Sequence, residues 1–159
     1  MGYFRKARLH HQPPAKGSAA IELALMMPIL VIFLMLPIFF AKVFWHYTIA
    51  QKAAKDAARY LSTISRQELK SATLAPDAAA IATQIATTEL AEMDPGRGPP
   101  RIQVFCGDVS CAGLGSRPIP STVRVRVEVD MYDTIFGTID TGRYGIPLTA
   151  DVQMTYVGL

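Results

Sequence analysis

Gly17, Ser18 and Glu22 are the residues whose types and spacing point to chemistry. Glycine offers a peptidase an unhindered, flexible scissile residue, and the Ser18-Ala19-Ala20 stretch behind it adds little bulk. A cut after Gly17 would leave an α-amino group on Ser18, and such groups titrate at about 7.7–8.0. Glu22 follows four residues later, one helical turn on. In the first turn of a helix starting at Ser18, its carboxylate would be favoured by the helix dipole by about 0.3–1 kcal/mol. Left unpaired inside lipid, the same carboxylate costs a few kcal/mol. When such helices bundle, the amine of one chain can neutralise the glutamate of its neighbour, favouring one axial register over slipped ones. The plainer alternative is an interfacial acid that reaches out to headgroups.

The element that must carry these groups follows at once. Residues 23–41 hold no charge over nineteen positions, which is the length a helix needs to cross a bilayer. Arg5, Lys6, Arg8 and Lys16 precede the run with no acid among them. Bases flanking a first span stay cytoplasmic, so the N-terminus is expected inside and residues beyond about 45 outside. For a bacterial inner membrane, outside is the periplasm.

Composition agrees with that division. The chain has 159 residues, half of them apolar, and a net charge of +3. That is room for one small domain and a membrane helix. Without the four leading bases, twelve bases face thirteen acids, a net of −1. A nucleic-acid partner needs a basic stripe on the folded part, and the positive charge here belongs to the head of the chain, so no nucleic-acid binding is expected. A secretory signal peptide also begins with bases, but its apolar run is shorter. No convincing Ala-x-Ala site follows Ala41; the next residues are Lys42-Val43-Phe44-Trp45-His46-Tyr47.

Beyond Lys42 the helical pattern continues. Val43, Phe44, Tyr47, Ala50, Ala54, Ala57, Ala58, Leu61 and Ile64 recur near a 3.6-residue period, with Lys52, Lys55, Asp56 and Arg59 on the other side. The spacing predicts one rod over residues 18–64, roughly 65–70 Å long at about 1.5 Å per residue. Trp45 and Tyr47 are expected at the outer interface. Pro28 and Pro37 each remove a backbone donor, so kinks or local melting are expected there, or two tolerated bends. A second helix is expected from Asp77 to about Met93, opened by Pro76 and ended by Asp94-Pro95-Gly96. It should pack on the rod or on the sheet that follows.

Composition then changes. Residues 102–105 read as a strand and residues 107–120 as a loop rich in Gly and Pro. Residues 122–131 alternate strictly, with Val123, Val125, Val127 and Val129 on one face and Arg124, Arg126, Glu128 and Asp130 on the other, the pattern of a half-buried antiparallel strand. After a turn around Asp140-Thr141-Gly142, residues 146–157 alternate again. The fold class is α+β: a long N-terminal transmembrane helix, a second helix, and a small antiparallel sheet of three or four strands. The organisation is a basic cytoplasmic leader (1–17), a membrane-to-periplasm helix (18–64) and an α+β head (65–159). The mixed-charge face of Arg124, Arg126, Glu128 and Asp130 would suit a docked sister subunit; a solvated sheet face is the plainer reading.

Cys106 and Cys111 are the only cysteines. In an oxidising compartment they would form a small disulfide pinning a loop; two free thiols are the alternative. A metal would need two more ligands, and His10, His11 and His46 are all distant in sequence. No metal or cofactor is expected. Gly-x-Ser-x-Gly, His-Glu-x-x-His and phosphate-loop patterns are all missing, and Gly113-Leu114-Gly115 lacks a strand–helix context. The chain does not read as an enzyme.

The run Gly17-Ser18-Ala19-Ala20-Ile21-Glu22-Leu23-Ala24-Leu25-Met26-Met27-Pro28 resembles the N-terminus of TadE-like pseudopilins, the minor pilins of the tight-adherence (Tad/Flp, type IVc) pilus system. Those begin with a basic stretch, a glycine, small residues, then glutamate and an apolar run ending in proline. The resemblance implies cleavage between Gly17 and Ser18 by the prepilin peptidase. It also implies subunit assembly through Glu22 and Leu23, with sister minor pilins and the major Flp pilin as partners beside the lipid bilayer. The resemblance further implies a role in initiating or supporting a pilus used in adhesion. Leu23 stands where many relatives carry an aromatic, and major pilins are little more than the rod; both favour a minor subunit. The competing reading is an uncleaved single-pass protein whose periplasmic domain binds another envelope or secretion component.

Overall fold

The structure, a computed structural model, describes residues 17–93, 98–114, 117–132 and 145–158. The leader before Gly17 and the turns expected at Asp94-Pro95-Gly96 and Asp140-Thr141-Gly142 lie outside these. Two compact units are present, Met1–Ile38 and Phe39–Leu159.

Helix α1 runs Ser18–Thr63 without a break. It contains no glycine, and it continues through Pro28 and Pro37 where local melting was one expectation. Each proline removes one hydrogen bond, and the turns on either side keep theirs. In the first unit the helix is apolar and bare: Leu23, Met26, Leu30 and Phe33 are all exposed. Its length and composition suffice to cross a membrane.

The second unit takes its core from the later part of α1. Ile49, Ala50, Ala53, Ala54, Ala57, Ala58, Leu61 and Ile64 are buried in one cluster, spaced three and one apart along one helical stripe. Ser65 then opens a short helix α2, Arg66–Lys70, with a capping box: Glu68 N–H donates to Ser65 Oγ at 3.2 Å, and Ser65 N–H to Glu68 Oε2 at 3.1 Å. Helix α3 spans Leu74–Leu90. It starts three residues ahead of the expected Asp77, because Pro76 fits inside a first turn, where an N–H has no helical partner anyway. It stops at Leu90 rather than Met93, whose N–H instead closes a turn on the Leu90 carbonyl. Ala75, Ala78, Ala82, Ala86 and Leu90 are its buried side.

The sheet has four antiparallel strands: β1 (Arg101–Cys106), β2 (Val109–Ser110), β3 (Thr122–Met131) and β4 (Ile146–Thr155), in the order β2-β1-β3-β4. Strand β2 and a 3-10 turn, Cys111–Gly113, occupy what the sequence suggested was loop. Along β3 the valines are buried and the charged residues half-exposed. The buried face joins α1 and α3 in the core cluster, giving a two-layer α+β unit with helices on one side of the sheet.

Candidate functional site

Gly17 sits in a turn just before α1, exposed, and its carbonyl accepts from Ile21 N–H at 3.3 Å. Among the described residues, a Cβ placed on Gly17 would meet nothing within 4 Å, and its φ is not positive, unlike Gly107, Gly145 and Gly158. The fold therefore has no steric need for glycine at position 17. Glu22 is exposed on α1. No acid falls in the first turn of the helix, so Glu22 belongs one turn further in than the sequence suggested. The dipole effect fades beyond the first turn, so it contributes little to this carboxylate. Leu23 beside it is exposed as well. Gly17, Glu22 and Leu23 thus share one bare helical end, where no catalytic side chain gathers around them among the described residues; Leu23 lines a shallow apolar depression with Met26, Met27, Ile29, Leu30 and Phe33.

Cys106 and Cys111 are joined by a disulfide, and both are buried. Cys106 pairs with Val109 across the β1–β2 hairpin, whose two-residue link starts at Gly107 with φ +66°. That left-handed conformation suits a tight hairpin turn and favours glycine. The bond ties the 3-10 turn to the end of β1. Among the described residues no three His, Cys, Asp or Glu side chains gather as metal ligands. His46 is buried, its Nδ1 2.9 Å from the Lys42 carbonyl.

The outer face of the sheet forms a linked charge network. Arg126 sends Nε and Nη2 to the same oxygen of Asp151, at 3.0 and 2.8 Å. Arg101 Nε reaches Glu128 at 3.3 Å and its Nη2 reaches Asp130 at 3.5 Å. The Arg124 guanidinium lies 4.7 Å from the centre of the Phe105 ring, with its Nε 3.9 Å from Asp151. The charges of β3 that could have met a sister subunit are thus largely matched within the sheet. Sequence reading overlooked Phe105 and Asp151 as partners, because strand register, which sets Phe105 opposite Arg124 and Asp151 opposite Arg126, is not written in any one strand.

Among the described residues, three groups titrate away from their ordinary values. The Glu89 carboxylate, by hydrogen bond first and by charge second, raises Lys52 across the α1–α3 contact. Partial burial, with Glu68 nearby, raises Tyr60. Partial burial likewise raises Tyr156, whose hydroxyl is held at the end of α1.

No curated protein and no solved structure matches the chain. Residues 17–59 match the model of a family described as TadE-like protein, the family that the glycine–glutamate–proline pattern resembles. The match covers most of α1 and stops before α2, α3 and the sheet. Over residues 17–59 the chain is thus similar to TadE-like proteins, and that segment holds most of a helix long and apolar enough to cross a membrane.

Proposed function

We propose that the chain is a minor pilin of a Tad pilus. In this reading it is held in the inner membrane with its leader in the cytoplasm and its α+β head in the periplasm. The prepilin peptidase cuts between Gly17 and Ser18, and Glu22 then pairs with the new amine of a sister minor pilin or the major pilin. Its work is assembly: starting or supporting the filament, rather than catalysis. The observation that carries this reading is Gly17 itself. It opens the segment matched to the TadE-like family, yet its surroundings have space for a side chain. A glycine that the fold does not require is one that an outside agent, here a peptidase, can require.

The same open space makes the test clean. The protein is isolated from its host's membranes, and its mass and N-terminal residue are determined for the native chain and for Gly17→Leu. A native chain beginning at Ser18, and a variant that keeps its leader and loses piliation, support the proposal. A native chain beginning at Met1 in cells with active peptidase makes it an uncleaved anchor for a binding domain, and Glu22 loses its partner.

A further inference from the structure

Where the apolar run ends, α1 has two unlike sides. Phe39 and His46 are 6% and 2% exposed, and Ile49 and Ala50 carry that side on into the core. Phe40, Phe44 and Tyr47 lie opposite, with Trp45 at their margin. At about 100° per residue, these four occupy about 160° of the helix circumference, clear of the buried arc. All four are exposed, Phe44 at 65% and Trp45 at 52%.

A bare aromatic side beside a membrane span has a natural cover. Residues 23–41 extend about 28 Å as a helix, close to the ~30 Å hydrocarbon core. Phe44 to Tyr47 then fall about 5–9 Å beyond it, inside the headgroup layer. Trp and Tyr each join an apolar ring to one polar hydrogen, the combination that settles at that depth. Tyr47 already turns its hydroxyl along the helix, accepting from Gln51 Nε2 at 2.8 Å, which leaves its ring side free for acyl and headgroup contact.

We propose that Phe40, Phe44, Trp45 and Tyr47 form a lipid-facing keel at the far end of the span, with Phe40 at the edge of the hydrocarbon and the other three in the headgroup layer. The opposite side of the same turns, Phe39 and His46, is covered by protein. One side in lipid and one in protein fixes the rotation of α1 about its axis at these turns. The proposal rests on α1 crossing a bilayer, as read above, and does not depend on cleavage at Gly17.

Trp45 is the only tryptophan, so its fluorescence reports this side alone. The full chain is placed in phosphatidylethanolamine–phosphatidylglycerol vesicles. These carry lipids brominated either near the carbonyl end of the acyl chain or near its terminus. The expected result is blue-shifted Trp45 emission, quenched more by the shallow bromines than by the deep ones. A second protein, Phe33→Trp in a Trp45→Phe background, places the probe mid-span, where the deep bromines should quench best. If the mid-span probe is quenched and Trp45 is not, the span stands and the keel is overturned; blue but unquenched Trp45 emission would then mean that another protein chain covers this side. If neither probe is quenched, the membrane reading itself fails and the keel with it.

Discussion

The hydroxyl of Tyr156 donates to the main-chain carbonyl of Ile64 at 2.9 Å, joining residues 92 positions apart. The N–H groups of Val157 and Gly158 reach the Ser62 carbonyl at 3.0 and 3.3 Å. A helix leaves its last carbonyls without partners, and here the tail of the chain supplies donors for the end of α1.

Tyr156→Phe is therefore expected to destabilise the second unit by about 0.5–1.5 kcal/mol, the usual net worth of such a bond. It should also alter the alkaline limb of stability. Burial raises the folded Tyr156 above its ordinary value, so the native state holds its proton longer than the unfolded chain does. That contribution is complete below about pH 10, the unfolded value, and is lost as pH rises through the folded one. Urea unfolding between neutral and strongly alkaline pH should show a shallower fall in the variant. Tyr60, raised in the same direction, keeps part of the slope.

The buried stripe of α1 is built of alanine where larger side chains would not fit. Ala57 is fully buried, and Ala57→Leu should cost about 1–3 kcal/mol by overpacking. The exposed Lys55→Ala should stay within about 0.5 kcal/mol of the parent. Thermal melts of both variants check the contrast. An unchanged melt for Ala57→Leu would mean that the core has slack the burial values do not show.

Reduction of the Cys106–Cys111 disulfide should cost roughly 2 kcal/mol, the loop-closure value for so short a ring. The loss should be visible as a lower urea midpoint under reducing conditions. The paired Cys106→Ser, Cys111→Ser variant should show the same shift without reductant. Amide exchange should quicken first around Gly107, where the hairpin turns, and leave the β3–β4 pairing protected.

The Arg126–Asp151 pair is about one-third exposed on both sides, so its coupling should be no more than about 0.2–1 kcal/mol in a double-mutant cycle. Removing Asp151 alone should cost more than removing Arg126 alone. Asp151 faces both Arg126 and Arg124, and its loss leaves two neighbouring guanidinium groups unbalanced.

What the sequence made legible follows from periodicity. The valines of β3 could be assigned to the core because a two-residue repeat allows only one buried face, and α1 could be followed past its uniformly apolar run because the apolar positions beyond Lys42 keep to one helical period. Helix α2 was missed although its signal was present: Ser65 and Glu68 are the two ends of a capping box, readable three residues apart. The early start of α3 was hidden by Pro76, which marks a first turn without saying which position of that turn it fills. The partners of Arg124 and Arg126 could not have been found from one strand, because register is a property of two.

The alanines of α1 also bear on timing. Ala57 leaves the ribosome about 93 residues ahead of Ala150, the buried centre of β4. At about 5–20 residues per second, that is on the order of 5–20 s without a partner. A stretch of leucine or valine waiting so long beside a membrane would invite misinsertion or strand pairing with other chains. Alanine keeps the helix without either hazard, being the strongest helix former and only weakly apolar. The interior of this unit is thus suited to a protein whose first helix is born long before its last strand, and can wait in the open for it.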